Sequence, residues 1–567
     1  MKSQKSSIIL FAMCLGIFIV MLDTTIMNIA LPEIQTSLHT NLTNISWALN
    51  AYTIIFAATC IPLGKLANVY GKKPFYLAAL LIFILGSSVS GISQNIVILI
   101  IGRILQSFGA AILFPLSMDL GLSTQPTTLK NKATLFMGIT QGAAAALGPT
   151  IGGFITEYLG WRAIFLINLP IGIVSLLICW IYLPKNIEKE STKIDWLGSG
   201  LAIVGLFSLT MALIQVRFWG LDYRILLLTV IFIISALLFY FWEKHTSVPM
   251  IDFKLFTNGN FNLSAISTLF SQLLLVGFMV IMPTFFTNLF NKTAFESALL
   301  ITPASLMIFI LSPMAGLLIS KINSKYLLSL GFVCLGLGYL GLSTLTNSMN
   351  YSMYLIYCCL IGAGYGLLVG PISVLSTAEF TGSQLTASQS VIGVLRQLGT
   401  VLAVAIFVSC LNFNLATAKQ QSLKIVHYKI NKIQDSVSTK NRIIKQFQVQ
   451  LNQQPKAQSH KNQSAIIMNK QDKLVEQKYQ QYLSANHLPN NLPSEIQSKI
   501  KTKISKLVHI RLLNIMTVVK NLQREIKQSY VKAFTNLYLY AAPFSFILAI
   551  LIFFLPIKPL RSKKHEK

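Results

Sequence analysis

Two side chains of opposite charge stand inside long apolar runs of this chain. Asp23 lies in "MLDTTIMNIALP" and Arg103 in "IGRILQSFGAAILFP". At membrane depth either charge alone costs at least about a few kcal/mol unless a partner answers it. A carboxylate and a guanidinium can answer each other, and the pair carries chemistry. Pairing favours the charged carboxylate and burial disfavours it, so the proton affinity of Asp23 depends on whether the two groups touch. Arg103 keeps its charge at every physiological pH. Asp23 is thus a candidate proton carrier and Arg103 its fixed reference.

The elements that position them are membrane spans. Of 567 residues, 53% are hydrophobic and only 11% charged, which excludes an ordinary soluble domain. Apolar runs of spanning length fall near 8–30, 47–66, 75–93, 97–118, 134–156, 162–183, 196–214, 224–242, 264–286, 298–319, 326–345, 353–375, 389–412 and 535–556. These predict about fourteen helices in an all-α polytopic fold. The first run lacks a small-residue cleavage site and reads as a signal anchor. Lys2, Lys5, Lys65, Lys72, Lys73, Lys130, Lys132, Lys185, Lys189, Lys193, Lys321, Lys325 and the tail "KPLRSKKHEK" all fall on one side. The positive-inside rule makes that side, and both termini, cytoplasmic in an inner (cell) membrane. At 1.5 Å per residue, Asp23 then lies roughly 22 Å above the inner boundary and Arg103 roughly 9 Å below the outer one. In a core of about 30 Å the two come level.

Other polar or flexible positions break the apolar pattern. The fifth span, "GITQGAAAALGPTIGGFITEYLG", clusters Gly148, Pro149, Gly152 and Gly153, which permits close approach and removes a backbone hydrogen bond. Two loops, "GKLANVYGKKPFYL" (64–77) and the weaker "GLLISKINSKYLL" (316–328), sit at the same step of two six-helix blocks and suggest an internal duplication. The thirteenth span holds Arg396 and Gln397 in "VLRQLGTVLAVAI". Arg396 lies roughly 11 Å from the inner edge, where snorkelling and substrate contact are both open. Acids at depth are few: Asp23, Asp119 and Glu157. The C-terminal block offers none in mid-membrane, which leaves neutral or anionic amphipathic substrates open. Phe270, Phe278, Phe285 and Tyr365 line a cavity or, in the blander reading, simply pack.

As a set these stretches resemble the major facilitator superfamily, in its fourteen-helix drug/proton antiporter (EmrB/QacA-like) branch. "LDTTIMNIALP" resembles the branch's first-helix signature, "GKLANVYGKKPFYL" the superfamily loop, "IGRILQSFGAA" its R-x-x-Q-G pattern, and "LGPTIGGFITEYLGWRAIFLINLPIG" its antiporter pattern. The resemblance covers nearly the whole chain except 413–532. It implies alternating access and assigns roles by position. Asp23 and Arg103 would couple protons, with Gln106, Arg396 and Gln397 in the same network. Gly148, Pro149, Gly152 and Gly153 would form the hinge. Gly64, Asn68, Gly71, Lys72 and Lys73 would form the cytoplasmic gating loop. Three departures stand out: the family's loop aspartate is Asn68, the echo has Ser320 there, and the glycine after Gln106 is Ser107.

Residues 413–532 hold about twenty Lys and Arg against five acids and supply over half of the net charge of +28. Loop parity puts the segment outside, which argues against a nucleic-acid role. Leu423, Val426, Ile430, Ile433, Val437, Ile444, Phe447 and Leu451 form one heptad seam; Val508, Leu512, Ile515, Val519, Leu522 and Ile526 form another. Pro455, Pro489 and Pro493 interrupt the stretch between them. Two antiparallel helices are expected, each on the order of 50 Å, either stiffening the adjoining spans or docking an extracytoplasmic adaptor. The expected organisation is an N-terminal bundle (1–187), two linker spans (188–250), helices of the C-terminal bundle (251–412), the insertion (413–532) and a last span with a basic tail (533–567).

No nucleophile–base set, phosphate loop or metal cluster appears, so an enzyme, a cofactor and a bound metal are not expected. All seven cysteines fall in proposed spans and imply no disulfide framework. The expected function is proton-driven export of amphipathic small molecules, of the multidrug-efflux type, with protons and membrane lipids as further partners. An importer or lipid or metabolite exporter on the same fold is the first rival. A membrane scaffold displaying the external helices is the second.

Overall fold

Inside a bilayer a backbone must satisfy its own polar groups, and this chain does so with helices alone among the described residues. The computed structural model describes residues 2–555 except 41, 185–193, 247, 320, 348–349, 433–436, 453–470 and 490–491. The loop lysines Lys185, Lys189 and Lys193, together with Ser320, Ile433, Pro455 and the basic tail, lie outside the described residues.

The long helices are α1 (Lys2–Ser37), α2 (Leu42–Tyr70), α3 (Lys72–Gly91), α4 (Ile96–Ser123), α5 (Lys130–Leu159) and α6 (Asn168–Tyr182). They continue with α7 (Trp196–Trp219), α8 (Tyr223–His245), α9 (Gly259–Phe290), α10 (Ala294–Leu318), α11 (Ser324–Ser343), α12 (Tyr351–Leu375) and α13 (Ser383–Ala403). A π-helical turn, Val404–Val408, joins α13 to α14 (Ser409–Asn431). After these come α15 (Val437–Asn452), α16 (Gln471–Ala485) and α17 (Ser494–Phe554). Local chemistry sets several ends. Asn95 caps α4 by accepting from the Ile98 amide at 2.9 Å. Thr293 and Glu296 form a reciprocal capping box on α10. Gly71, at φ 116°, makes the sharp corner between α2 and α3 that a residue with a Cβ would strain to adopt.

Thirteen helices among the described residues are long and apolar enough to cross a membrane. The fourteenth expected span is α5, which falls outside that count because its glycines, threonines, Gln141 and Pro149 dilute its hydropathy. Neighbouring helices cover its small-residue faces, while Phe136 and Phe154 are exposed. Its Gly148 and Gly152 lie on Thr25 and Ile26 of α1, while Gly142 and Gly153 lie on Ser312 and Ala298 of α10.

The buried apolar side chains form two large clusters. One is built on α1–α6 with the start of α9 and the first half of α13; the other joins α9–α12 with α17. α7 and α8 pair with each other, and α7 rests on α2. α8 leaves Leu226, Leu237 and Phe241 exposed on its outer side.

The segment after α13 departs from the two-helix expectation. The first apolar seam does not run along one helix, because α14 ends at Asn431 and α15 packs back on α14. Lys440 of α15 donates to the Asn431 carbonyl at 2.9 Å and satisfies that helix end. Val426 and Ile430 of α14 meet Ile444 and Phe447 of α15 and Leu522 of α17 in a third cluster. The apolar spacing stays in step through the reversal, so periodicity alone could not reveal it. α17 merges the second seam with the last span in 61 unbroken residues. α16 adds Tyr479 and Leu483 to this region, both buried. There Lys501 donates to Glu476 at 2.7 Å and holds that carboxyl below its usual range.

Candidate functional site

Three sets of polar side chains lie within or between the clusters. The first surrounds Asp23 on α1. Arg103 Nη1 donates to Asp23 Oδ2 at 2.6 Å, and both side chains are at most 1% exposed. Gln106, one turn on from Arg103, donates through Nε2 to Asp23 Oδ1 at 3.2 Å and accepts from Arg103 Nη1 at 3.0 Å. Asn168 of α6 adds a longer contact to Oδ1 at 3.4 Å. Ser87 of α3 ties the set together, accepting from Gln106 at 2.9 Å and Asn168 at 3.1 Å and donating to the Phe165 carbonyl at 2.8 Å. Arg103 Nε donates to the Ala48 carbonyl at 3.3 Å, and its guanidinium lies 4.2 Å from the Tyr52 ring centroid. The position after Gln106 matters for packing here: Ser107 donates to the Tyr52 carbonyl at 2.6 Å. The charge of Asp23 is therefore answered by one cation and two amide donors, and that of Arg103 by a carboxylate, two oxygen acceptors and a π face.

The second set lies at the α2–α3 corner. Lys72 pairs with Asp119 of α4 at 2.5 Å, with side chains 6% and 0% exposed. Thr386 of α13 donates to Asp119 Oδ2 at 2.6 Å and lies 3.1 Å from Asn68 Oδ1. Gly64 lets α13 approach: a Cβ there would stand 2.6 Å from Ser390 Oγ. Cys60 Sγ contacts the Ser390 carbonyl at 3.7 Å. Lys73 turns away and donates to the carbonyls of Trp180 and Leu183 at the end of α6, at 3.0 and 2.5 Å. The carboxylate that the sequence lacks at position 68 is thus supplied by Asp119 from the neighbouring helix.

The third set lies on the seam between the clusters. Arg396 is 6% exposed and does not snorkel. Its Nη2 donates to Gln141 Oε1 of α5 at 2.8 Å, its Nη1 faces Met21 Sδ of α1 at 3.4 Å, and its guanidinium sits 5.5 Å from the Phe114 ring centroid. Gln397 beside it is buried as well. Neither residue hydrogen-bonds into the Asp23 set among the described contacts. Gly148, Pro149, Gly152 and Gly153 are all buried in α5, on its two contact faces. At the far end of that helix Thr150 and Thr302 hydroxyls lie 2.9 Å apart, and Phe154 and Tyr158 pack on Phe295 of α10.

Sequence reasoning missed Ser87, Asn168, Tyr52, Thr386 and Gln141. Asn168 and Gln141 were visible as lone amides inside apolar runs, but nothing in the sequence says which helices face each other. Phe278 and Phe285 are buried packing residues, Tyr365 is buried and donates to Gln272, Phe270 meets Phe544 edge to face, and Glu157 is exposed.

Two helical clusters meeting along a polar seam, with a buried acid–arginine pair, define a class of protein: polytopic membrane transporters of the two-bundle type. The family model for the Major Facilitator Superfamily matches residues 13–404, and the chain belongs to that family. It is 28% identical over 420 residues to an uncharacterized MFS-type transporter, YhcA, of Bacillus subtilis strain 168, covering 73% of this chain and 79% of that one. The riboflavin transporter RibZ of Clostridioides difficile strain 630 is 29% identical over 411 residues, covering 72% and 88%. The multidrug export protein EmrB of Haemophilus influenzae is 26% identical over 456 residues, covering 79% and 87%. Among solved structures, the human organic anion transporter MFSD10 (TETRAN) matches with a TM-score of 0.53 at 12% identity, covering 71% of this chain and 93% of its own. The chain is accordingly a secondary transporter of small molecules and not an enzyme.

Proposed function

We propose that the protein exports amphipathic small molecules by proton-coupled alternating access. The observation that carries this reading is the fully buried Asp23–Arg103 pair and its amide shell. Protonation of Asp23 cancels its charge and leaves Arg103 with neutral acceptors only. That changes the relative free energy of the open states, which is what coupling requires. Lys72, Asp119, Asn68 and Thr386 act as the cytoplasmic gate, with Gly64 and Gly71 shaping it and Lys73 anchoring its far side. Gly148, Pro149, Gly152 and Gly153 give α5 the freedom to rock against α10. Both termini are cytoplasmic, and the basic insertion after α13 serves to dock an extracytoplasmic adaptor. The relatives' names support export, since EmrB is called a multidrug export protein; RibZ, called a riboflavin transporter, keeps a metabolite cargo in view.

The test uses purified protein in liposomes with an imposed pH gradient and a panel of fluorescent amphipaths. Gradient-dependent accumulation of at least one probe is expected in wild type and is expected to be absent in Asp23→Asn. Accumulation by that variant equal to wild type overturns the coupling assignment.

A further inference from the structure

Three cations are buried among the described residues, and two of them have carboxylates. Arg103 has Asp23 and Lys72 has Asp119. Arg396 has none within 4 Å among the described residues. Its Nε–H makes no hydrogen bond although the residue is more than nine-tenths buried. Nη1 has only a thioether, a weak acceptor, and Nη2 only the neutral Gln141 oxygen. A guanidinium in low-dielectric surroundings with one good acceptor is under-answered, and a buried charge in that state is costly.

The surroundings explain what could answer it. Phe114 and Met21 lie against the guanidinium and make its surroundings apolar. Behind Arg396, its own carbonyl accepts from Thr400 at 3.2 Å, Gln272 donates to Thr400 at 3.3 Å, and Tyr365 donates to Gln272 at 2.9 Å. That chain of hydrogen bonds fixes the arginine's turn of α13 to α9 and α12. The backbone of this turn is then held from the C-terminal side, while Nη1 faces α1 and Nη2 faces α5. A planar fork of N–H donors matches a carboxylate with two parallel bonds, which a lysine ammonium could not reproduce.

We propose that Arg396 anchors a binding site for an amphipathic carboxylate, whose charged end pairs with Nε and Nη2, displacing Gln141 from Nη2, while its apolar body lies against Phe114 and Met21. This rests on the transport reading and gives its cargo a chemical class. A ligand so placed touches both bundles at once, so its binding free energy depends on how they are arranged, as transport demands. The site also explains why the C-terminal bundle carries no acid at this level: a carboxylate there would occupy the arginine.

The experiment measures binding to the detergent-solubilised full chain without any gradient. The probes are a dansyl-labelled undecanoate, its primary amide and its trimethylammonium analogue. Wild type is expected to bind the carboxylate about tenfold or more tighter than the amide. Arg396→Gln is expected to bind the two alike, and a cooperative thermal transition near the wild-type midpoint shows that the variant is folded. Arg396→Lys is expected to recover part of the preference. Equal binding of carboxylate and amide by wild type, or an undiminished preference in Arg396→Gln, overturns the site. Loss of amide binding together with thermal stability in Arg396→Gln assigns the residue to packing and overturns it too. Export is judged separately. A protein that prefers the carboxylate but accumulates no probe under a pH gradient keeps the site and loses the coupling reading. One that drives only the cationic analogue keeps the coupling reading and loses the site.

Discussion

At Asp23 an asparagine substitution changes almost nothing in shape and removes one charge. The amide donors Gln106 and Asn168 keep an oxygen to bond, but Arg103 becomes a buried cation without a carboxylate. Breaking such a pair costs about 3–5 kcal/mol, so Asp23→Asn should lower the thermal midpoint as well as abolish coupling. Adding Arg103→Gln removes the orphaned charge. The double variant should regain much of the stability, read by thermal unfolding in detergent, and none of the pH-driven transport. Thr386→Val tests the gate in the same way, since it keeps the volume and deletes the charge-assisted hydrogen bond to Asp119, which is worth roughly 1.5–3 kcal/mol. Cys60 reports on that seam through its contact with Ser390. With the other cysteines replaced by alanine, its alkylation should speed up by about tenfold; an unchanged rate rules out a latch at Thr386. Of these residues, the depth of Asp23 and Arg103 was calculable from spans, because each lies well inside one. Thr386 was not, because its partner Asp119 sits 267 positions away and only packing brings them together.

At the scale of single helices, α5 carries two different contacts, and its glycines separate them. A Cβ on Gly148 would stand 1.9 Å from Thr25 Oγ1 within the N-terminal cluster, while one on Gly153 would stand 2.9 Å from Ala298 Cβ on α10. Gly148→Val should therefore destabilise the fold by at least about 1–3 kcal/mol. Gly153→Val should leave the thermal midpoint nearly unchanged and loosen only the seam. The readout is disulfide formation between cysteines placed by Thr150→Cys and Thr302→Cys, which should slow in the Gly153 variant alone. Pro149→Ala restores a donor to the helix interior and should raise stability by up to about 3 kcal/mol while lowering turnover. Both higher stability and undiminished turnover would remove Pro149 from the hinge. The sequence showed α5 as a glycine-rich span because small residues at close spacing have few other uses in a helix. It left Arg396 open between snorkelling and substrate contact; Gln141, on a different helix, holds it inside.

For the whole molecule, most spans could be read from apolar runs, because lipid imposes length. The stretch between α13 and the last span is free of that constraint, and there the reading failed: α15 packs back on α14 where one long seam was expected. What remains attached to the bundle is the lower part of α14 and α17. Lys429 pairs with Glu525 at 2.5 Å, Asn414 donates to the Ala533 carbonyl at 3.0 Å, and Asn347 donates to the Arg524 carbonyl at 3.0 Å. Replacing residues 432–519 by a short Gly/Ser linker keeps all three ties and, of the third apolar cluster, keeps Val426, Ile430 and Leu522 while removing Ile444 and Phe447. If the outer part serves a docking partner, the shortened protein should transport in liposomes within about twofold of the full chain, since distant surface changes perturb little, while whole-cell export falls. Loss of liposome transport would instead place the insertion inside the transport cycle, through the π-helical turn that links α14 to α13. Full activity in both settings would leave 432–519 with no share in export.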